Sequence, residues 1–381
     1  MGEINNSRIS IFTWCYSNGP VNIGQIIQCY ALQNLCVKIG YDVNVINYRK
    51  LDNSEDITAI PAKGVERNEY EKEYKNNNIE RQNTKQIINT YSFIHRNIRL
   101  SEQCYSVEEI CEEISDSQVL LVGSDQLWNP LWMDPVYLLD FDTGEKRCVS
   151  YATSGLFQNS IETDDYIRYI ADRINRFENV SVREPLGRQI LNMYTQKDIF
   201  NALDPVFMLS QKDCDNIRVD YAIEEPYILA FYIGRIDPQK HLLSMVAKIN
   251  NAKRIVYVKM AYYEEKFNEL DNMIGLNDVG PGEFISLVKG AVAVCTDSYH
   301  AFVMSIIYHK VFYLMNRAYV PLNEVSNERW DSVMEKLEIE KRYSNSRREI
   351  MNLAQIDYEK VEERLNYFRQ ESGDWLSKAL G

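Results

Sequence analysis

Short apolar runs alternate with longer amphipathic stretches along most of the chain. Residues 8–13 (RISIFT) predict a first strand, residues 24–39 predict a helix with an apolar stripe, and residues 43–48 predict a second strand. This alternation is typical of βαβ units, in which helices join parallel strands and cover the sheet. Later segments follow the same rhythm and predict strands at 118–122, 148–152 and 179–182 and helices at 161–177 and 185–193.

The alternation is interrupted by a polar connection at residues 210–225 and then resumes. We therefore expect two lobes, residues 1–209 and residues 210–355. An amphipathic stretch at 356–377 predicts a long helix, and we expect residues 356–381 to pack back on the first lobe. The second series predicts strands at 227–233, 254–258, 291–295 and 311–314 and helices at 239–250, 281–289 and 298–308.

Residues 53–94 differ from the rest of the first lobe. They contain few apolar residues and many Glu, Lys and Asn residues, which predicts a solvated helix or a loop. We interpret about residues 53–117 as a helical or loop insertion. The fold class is thus α/β, with two Rossmann-like lobes and a cleft between them.

Composition and charge narrow the possible partners. The chain has 381 residues, 45% of them hydrophobic, and 55 acidic against 42 basic residues give a net charge of -13. This charge argues against binding to a nucleic-acid backbone. The eight cysteines show no C-x-x-C spacing and the four histidines form no H-E-x-x-H pair, so we expect no metal site. Neither an export signal nor a long apolar span is present, which predicts a cytoplasmic protein.

The loop after the first predicted strand brings polar residues to the start of a helix. In open α/β sheets, ligands bind beyond the carboxyl ends of the strands. Asn22, Gly24 and Gln25 can present backbone N–H groups to a carboxylate or phosphate there, although a tight turn with helix caps explains them equally well. Gln25 and Gln28 lie three residues apart on one helical face, and their side chains are harder to explain as caps.

Asp125 follows the apolar run VLLVG and is flanked by Ser124 and Gln126. A carboxylate at this edge of the sheet can orient a sugar hydroxyl or take its proton. The alternative is an Asp that caps the next turn. Trp128 is either an apolar platform on which a sugar stacks or a residue of the core.

Thr153 and Ser154 follow the fifth predicted strand, and Arg183 ends the sixth, just before Pro185 begins a helix. A guanidinium at this position can hold a phosphate or carboxylate with two parallel hydrogen bonds. The alternative is a structural ion pair with Glu184 or another carboxylate.

In the second lobe, Thr296, Asp297 and Ser298 precede a predicted helix, which places His300 in its first turn. The positive end of the helix is expected to lower the pKa of the imidazole and to aim the ring at the cleft. A lone His is otherwise usually a structural group.

Taken together, these segments resemble the polysaccharide pyruvyl transferase family. The resemblance covers most of the chain and rests on motifs that occur in the right order. These are NIGQIIQCYALQNLCVKIGYDVNVINY, GSDQLWN, YATSG, SVRE, LDPVFML and GEFISLVKGAVAVCTDSYHAFVMSIIYHKVFYLMN, with NERW where the family tends to show S-R-I.

The resemblance implies a GT-B-type protein, with the acceptor on the first lobe and the donor on the second. It also implies a reaction in which the enolpyruvyl part of phosphoenolpyruvate is transferred to a sugar and closed as a cyclic ketal. The acceptor is then a cell-surface polysaccharide or its lipid-linked precursor, phosphoenolpyruvate is a co-substrate, and no cofactor is needed. Arg183 and His300 match positions that the family uses for phosphoenolpyruvate, and Asn22, Gly24, Gln25 and Asp125 match motif positions that face the cleft. In this scheme His300 acts as an acid or phosphate partner, Asp125 as a base and Arg183 as a clamp.

One position departs from the family pattern. Several members have an Arg two residues before the His, where this chain has Ser298. A trianionic donor needs local cations. The residues that can supply them are Arg317, Arg329, Lys259 and Lys289.

Two other functions fit the same architecture. One is a glycosyltransferase that uses a nucleotide-sugar donor, and the other is a glycan-binding protein without catalytic activity. If the acceptor carries a polyprenyl anchor, the protein must reach the inner face of the membrane, although no strongly basic amphipathic helix is evident. The sequence leaves the acceptor sugar and the oligomeric state open.

Overall fold

The computed structural model of the chain contains two parallel β-sheets surrounded by helices. All strand pairs among the described residues are parallel, as the βαβ rhythm predicts. The structure describes residues 7–15, 22–49, 84–129, 133–155, 164–234, 239–259, 271–317 and 327–381.

The first sheet has seven strands. They are β1 (Arg8–Phe12), β2 (Asp42–Tyr48), β3 (Leu100–Cys104), β4 (Val119–Val122), β5 (Arg147–Thr153), β6 (Asn179–Val182) and β7 (Ile199–Asn201). Their spatial order is β3-β2-β1-β4-β5-β6-β7. The helices of this part are α1 (Ile23–Ile39), α2 (Thr84–Asn97), α3 (Val107–Glu113), α4 (Asp164–Ile174) and α5 (Pro185–Leu191), with 3₁₀ helices at Pro135–Leu138 and Pro205–Met208.

The second sheet follows helix α6 (Gln211–Ile217) and has five strands. They are β8 (Tyr227–Phe231), β9 (Arg254–Val258), β10 (Met273–Leu276), β11 (Ala293–Thr296) and β12 (Val311–Leu314). Their order is β10-β9-β8-β11-β12. The remaining helices are α7 (Lys240–Ile249), α8 (Pro281–Gly290), α9 (Tyr299–Ile307), α10 (Glu328–Lys336), α11 (Arg347–Met351) and α12 (Tyr358–Leu380).

Local sequence explains the elements that carry the predicted site. The side chain of Asn22 accepts a hydrogen bond from the backbone N–H of Gln25 and so caps α1. Gly40 ends the helix in the left-handed conformation, with a φ of 110°, which favours glycine. Strand β4 is buried over all four residues, VLLV, because helices cover both faces of a parallel sheet.

Part of the predicted insertion belongs to the first lobe itself. Residues 100–104 form the edge strand β3, and residues 107–113 form α3, whose start carries a capping box at Ser106 and Glu109. The sequence of β3 shows no apolar pattern because Glu102 is exposed and Gln103 is half-buried. An edge strand has a partner strand on one side only and accepts such polar residues. Helix α2 buries Ile87, Tyr91 and Ile94, so it is not a solvated helix. Residues 50–83 lie outside the described residues.

The two lobes are joined by several direct contacts. In α2, the side-chain amides of Gln86 and Asn89 donate to the carbonyls of Val279 (3.0 Å) and Asp278 (2.6 Å) in the second lobe. Helix α12 packs back on the first sheet, where Trp375 stacks on Phe200 with ring centres 5.2 Å apart. The first sheet precedes residue 209 and the second follows residue 210. The domain boundary between these two residues stays a prediction.

Candidate active site

Gln28 links helix α1 to the loop that follows β4. Its side chain is completely buried, and its Oε1 accepts hydrogen bonds from the backbone N–H groups of Ser124 (2.6 Å) and Asp125 (3.3 Å). Its Nε2 donates to Oγ1 of Thr13 (2.9 Å). The side chain that a capping role did not explain therefore fixes the loop that carries Asp125.

The start of α1 contacts the second lobe through Gly24. A Cβ atom at residue 24 would lie 2.7 Å from Cγ of His300, which is well inside contact distance. Asn22 and Gln25 are half-buried on either side of this glycine. Residues 17–21, which precede Asn22 in the loop after β1, lie outside the described residues.

Arg183 is the centre of a buried charge network. Its Nε donates to Glu184 (2.8 Å), one terminal nitrogen donates to Asp204 (2.7 Å) and Asp125 (3.4 Å), and the other donates to Oγ of Ser154 (2.6 Å). Burial opposes the charge of Arg183, but the carboxylates, Glu184 foremost, outweigh it and raise its pKa well above the ordinary value. The ion pair with Glu184 that the sequence offered as an alternative is thus present.

His300 is the second residue of α9 and lies beside this network. Its side chain is 8% exposed, and its Nε2 is 3.8 Å from Oδ2 of Asp204, the carboxylate that also binds Arg183. That Nε2 is buried and has no hydrogen-bond partner among the described residues. Arg183 and His300 therefore meet at one carboxylate.

The pKa of His300 lies below the ordinary value of an imidazole. Burial is the main cause, and the positive charges of Arg183 and Arg329 add to it, whereas Asp125 and Asp204 oppose it. The direction agrees with the sequence-based expectation, but desolvation replaces the helix end as the leading cause.

The residues before His300 hold the carboxyl ends of β8 and β11 together. Thr296 donates its hydroxyl to the carbonyl of Phe231 (2.5 Å) and accepts from the N–H of Ser298 (2.9 Å). The two carboxylate oxygens of Asp297 accept from the N–H groups of Ile233 (2.6 Å) and Gly234 (2.8 Å). Ser298 is the N-cap residue of α9, but its side chain makes no capping hydrogen bond.

Two of the four candidate cations lie near the network. Arg317 contacts Asp297, with 3.3 Å between its Nε and a carboxylate oxygen. The guanidinium of Arg329 lies 6.0 Å from the ring centre of Tyr299, and that of Arg183 lies 4.4 Å from the same ring. The other two candidates have different contacts: Lys289 pairs with Asp215, and Lys259 lies over Tyr257.

Three predicted cleft residues are engaged elsewhere. Trp128 is completely buried, donates its indole N–H to the carbonyl of Tyr137 (3.0 Å) and packs against Phe177. This agrees with the core interpretation and leaves no ring face for a sugar. Thr153 donates to the carbonyl of Ser181 (2.9 Å). Gln126 is half-buried, and its Oε1 accepts from Asn129 (2.9 Å).

The sequence analysis missed Asp204 and Tyr299 as members of the site. Asp204 stands in the motif LDPVFML, where an Asp before a Pro predicts a capped turn, and it does cap the 3₁₀ helix at Pro205–Met208. Its second carboxylate oxygen is the one that reaches Arg183. Tyr299 is buried and stands between Ser298 and His300. Among the described residues, no His, Cys, Asp and Glu side chains are grouped to hold a metal ion, and the expectation of no metal stays a prediction.

Two Rossmann-like lobes with polar residues gathered where the sheets meet define a GT-B-type protein. The model of the family described as polysaccharide pyruvyl transferase matches residues 22–319. The chain belongs to the polysaccharide pyruvyl transferase family and is a transferase. No curated protein matches it in sequence.

Solved structures show the same fold at low sequence identity. The S. aureus protein MnaA with UDP aligns with a TM-score of 0.51 at 10% identity, over 96% of this chain and 91% of that one. A glycotransferase of kitacinnamycin aligns with a TM-score of 0.50 at 11% identity, over 99% and 100%. A Listeria monocytogenes protein assigned as a UDP-N-acetylglucosamine 2-epimerase aligns with a TM-score of 0.50 at 10% identity, over 98% and 90%. These likenesses concern the fold alone.

Proposed function

We propose that the protein transfers the pyruvyl group of phosphoenolpyruvate to two hydroxyls of one sugar in a cell-surface polysaccharide or its lipid-linked precursor. Membership in the polysaccharide pyruvyl transferase family supports a sugar acceptor. The observation that carries the proposal is the position of His300. Its buried Nε2 has no hydrogen-bond partner among the described residues and lies 3.8 Å from Asp204, and its ring lies against Gly24 of the first lobe.

The proposed chemistry balances without a redox step. A proton adds to the methylene carbon of phosphoenolpyruvate, and C2 becomes electrophilic. One sugar hydroxyl then adds to C2, phosphate leaves with the C2–O bond electrons, and the neighbouring hydroxyl adds to close the ketal. The two hydroxyl protons replace the one given to the methylene carbon and the one taken by the phosphate.

His300 is the acid in this scheme. Its lowered pKa leaves the imidazole neutral near pH 7 in the free protein, so it must take up a proton before it can give one. The negative charge of a bound donor raises the pKa of His300 and so favours that uptake, as the charges of Asp125 and Asp204 do in the free protein. Proton uptake and donor binding are therefore coupled.

Asp125 is the base that receives the proton of the attacking hydroxyl. Its carboxylate is held by Arg183 on one side, and its backbone is held by Gln28 on the other. Because every nitrogen of Arg183 already donates to a protein acceptor, we propose that Arg183 positions Asp125 and Asp204. The alternative is that Arg183 binds the donor directly, and replacement of Arg183 distinguishes the two roles.

The acceptor side is proposed to lie along the first lobe. Asn22 and Gln25 are half-buried polar side chains beyond the carboxyl end of β1. Such groups can donate to and accept from sugar hydroxyls. The buried Trp128 is not part of this surface.

The test uses the purified protein, phosphoenolpyruvate and a panel of hexose glycosides with two free hydroxyls that one carbon can bridge. The expected product has the mass of the glycoside plus pyruvate minus water, and phosphate is released in equal amount. Phosphoenolpyruvate should also raise the melting temperature of the protein. Sugar transfer from a nucleotide sugar, with stabilisation by UDP and not by phosphoenolpyruvate, would instead establish the glycosyltransferase alternative.

We further propose that the protein works in the cytoplasm, at the inner membrane face when its acceptor carries a polyprenyl anchor. In the part of the chain that the structure describes, no helix combines the length and apolar character needed to cross a bilayer. Co-sedimentation with vesicles that contain the polyprenyl-linked acceptor, but not with vesicles that lack it, is the expected result.

A further inference from the structure

Arg329, at the second position of α10, has an unusual environment for a guanidinium. It is half-buried, and its Nε is buried without a hydrogen-bond partner among the described residues. None of the described carboxylates forms an ion pair with it. Its guanidinium lies near the aromatic rings of Tyr299 and Trp330. Buried charges are normally paired, but the described residues provide no counter-ion for this arginine.

Two further guanidinium groups affect the charge of Arg329. Burial lowers the pKa of Arg329 to about 10, and the neighbouring charges of Arg317 and Arg183 contribute in the same direction. Asp125 and Asp297 oppose this effect but do not cancel it. Arg183 and Arg317 already pair with carboxylates, whereas Arg329 pairs with none of the described carboxylates. Arg329 is therefore the guanidinium of this group that is left to bind an anion.

Arg317 is held so that it can share this anion. Its Nε lies 3.3 Å from a carboxylate oxygen of Asp297, and one terminal nitrogen lies 3.3 Å from the carbonyl oxygen of the same residue. Asp297 is in turn fixed by two backbone N–H groups after β8. Arg317 therefore has a defined position, and it has more donors than these contacts engage.

Tyr299 connects these arginines with His300. The rings of Tyr299 and His300 lie 5.4 Å apart, edge to face, and Tyr299 is also the ring over which both Arg183 and Arg329 lie. Nε of Arg329 and Nε2 of His300, neither of which has a hydrogen-bond partner in the described part of the chain, consequently flank one buried aromatic side chain. Nε of Arg329 is an N–H donor, and Nε2 of His300 is one when it carries a proton, so a phosphate oxygen can satisfy both.

We infer that Arg329, supported by Arg317, binds the phosphate group of the donor, a phosphate monoester. The assignment of that donor as phosphoenolpyruvate rests on the proposed function, whereas the phosphate chemistry of the site does not. A phosphate oxygen would supply the counter-ion that Arg329 lacks among the described residues and would satisfy its buried Nε. The two arginines then supply the cations that Ser298, two residues before His300, does not.

The experiment compares wild type with Arg329→Gln and with Arg347→Gln, a matched change at an exposed arginine of the same lobe. Inorganic phosphate and phosphoenolpyruvate are titrated separately and followed by calorimetry. We expect Arg329→Gln to weaken the binding of both by about tenfold or more, as loss of a charge-assisted hydrogen bond should, and Arg347→Gln to change neither. Without ligand, Arg329→Gln should melt at or above the wild-type temperature, because an unpaired buried charge is removed.

Each other result has a definite meaning. Unchanged binding of both anions to Arg329→Gln overturns the inference and leaves the proposed function intact. Binding of phosphate that depends on Arg329, without any binding of phosphoenolpyruvate, supports the phosphate site and contradicts the proposed donor. If Arg329→Gln does not fold, or melts well below wild type, the guanidinium is structural and the inference is wrong. Arg317→Gln should weaken phosphate binding less than Arg329→Gln does, since Arg317 is already paired with Asp297.

Discussion

Gly24 of the first lobe lies directly against the imidazole of His300 in the second. A Cβ at position 24 would stand 2.7 Å from Cγ of that ring and 2.9 Å from Cβ of His300. Any other residue at this position must displace either α1 or His300. The closeness of the two lobes at the candidate site therefore depends on the absence of a side chain.

Gly24→Ala is predicted to impair turnover far more than stability. The added methyl group must move the His300 ring, and a displacement of about 1 Å at a catalytic group costs on the order of a hundredfold in rate. Phosphate release from phosphoenolpyruvate in the presence of acceptor measures the effect. Gly373→Ala is the matched control, because a Cβ there finds its nearest neighbour at an ordinary 3.7 Å. Near-normal turnover of Gly24→Ala would show that His300 need not stay where it is.

Gln28→Ala is predicted to lower both the free energy of unfolding and the turnover. It leaves the N–H groups of Ser124 and Asp125 without their buried acceptor, which costs about 1–3 kcal/mol. Gln25→Ala, one turn earlier and half-buried, should leave stability nearly unchanged. Urea unfolding of the two variants makes the comparison. Equal stability of both would contradict the role of Gln28 in fixing the Asp125 loop.

The sequence predicts the framework of the fold because its main signals are local. Buried strands such as VLLV and helix limits such as Asn22 and Gly40 depend on nearby residues alone. The predicted strands form to within two residues. The sequence analysis did not predict strands β3, β7 and β10. Strand β7 has only three residues, too few to show a periodicity, and β3 and β10 are edge strands, which have a partner strand on one side only.

The candidate site is predictable only in part. Parallel strands bring their carboxyl ends to one edge, which is why Asp125 and Ser154 both contact Arg183. How they meet depends on tertiary contacts that no local pattern encodes. Asp204 reaches Arg183 from the end of another strand, and the burial of Trp128 depends on how its neighbours pack.

Arg183→Met is predicted to destabilise the protein by about 3–5 kcal/mol, because it leaves buried carboxylates without their counter-ion. Adding Glu184→Gln to it should restore part of this loss, since one of the uncompensated charges is then removed. Urea unfolding measures both variants. If Arg183 were instead a direct clamp on the donor, Arg183→Met would raise KM for phosphoenolpyruvate and leave the unfolding free energy close to wild type.

The lowered pKa of His300 gives stability and activity opposite dependences on pH. The unfolded chain has an ordinary imidazole, with a pKa of about 6.5, and therefore binds more protons than the folded protein over the range below it. The contribution of the neutral, buried ring to stability is thus complete above about pH 6.5 and is lost as the pH falls toward the folded value. As an acid, however, His300 needs a proton that becomes harder to take up as the pH rises.

We accordingly predict that kcat/KM for phosphoenolpyruvate falls as the pH rises from about 6 to 8, while the free energy of unfolding rises as the pH approaches about 6.5 from below. His300→Gln should abolish turnover and flatten the stability profile, because it removes the titrating ring but keeps a side-chain amide of similar reach. His309→Gln is the control, since that ring is 40% exposed and pairs with Glu362 at the surface. A stability profile of His300→Gln that parallels wild type would mean that another group titrates, and activity that rises with pH would make His300 a base rather than an acid.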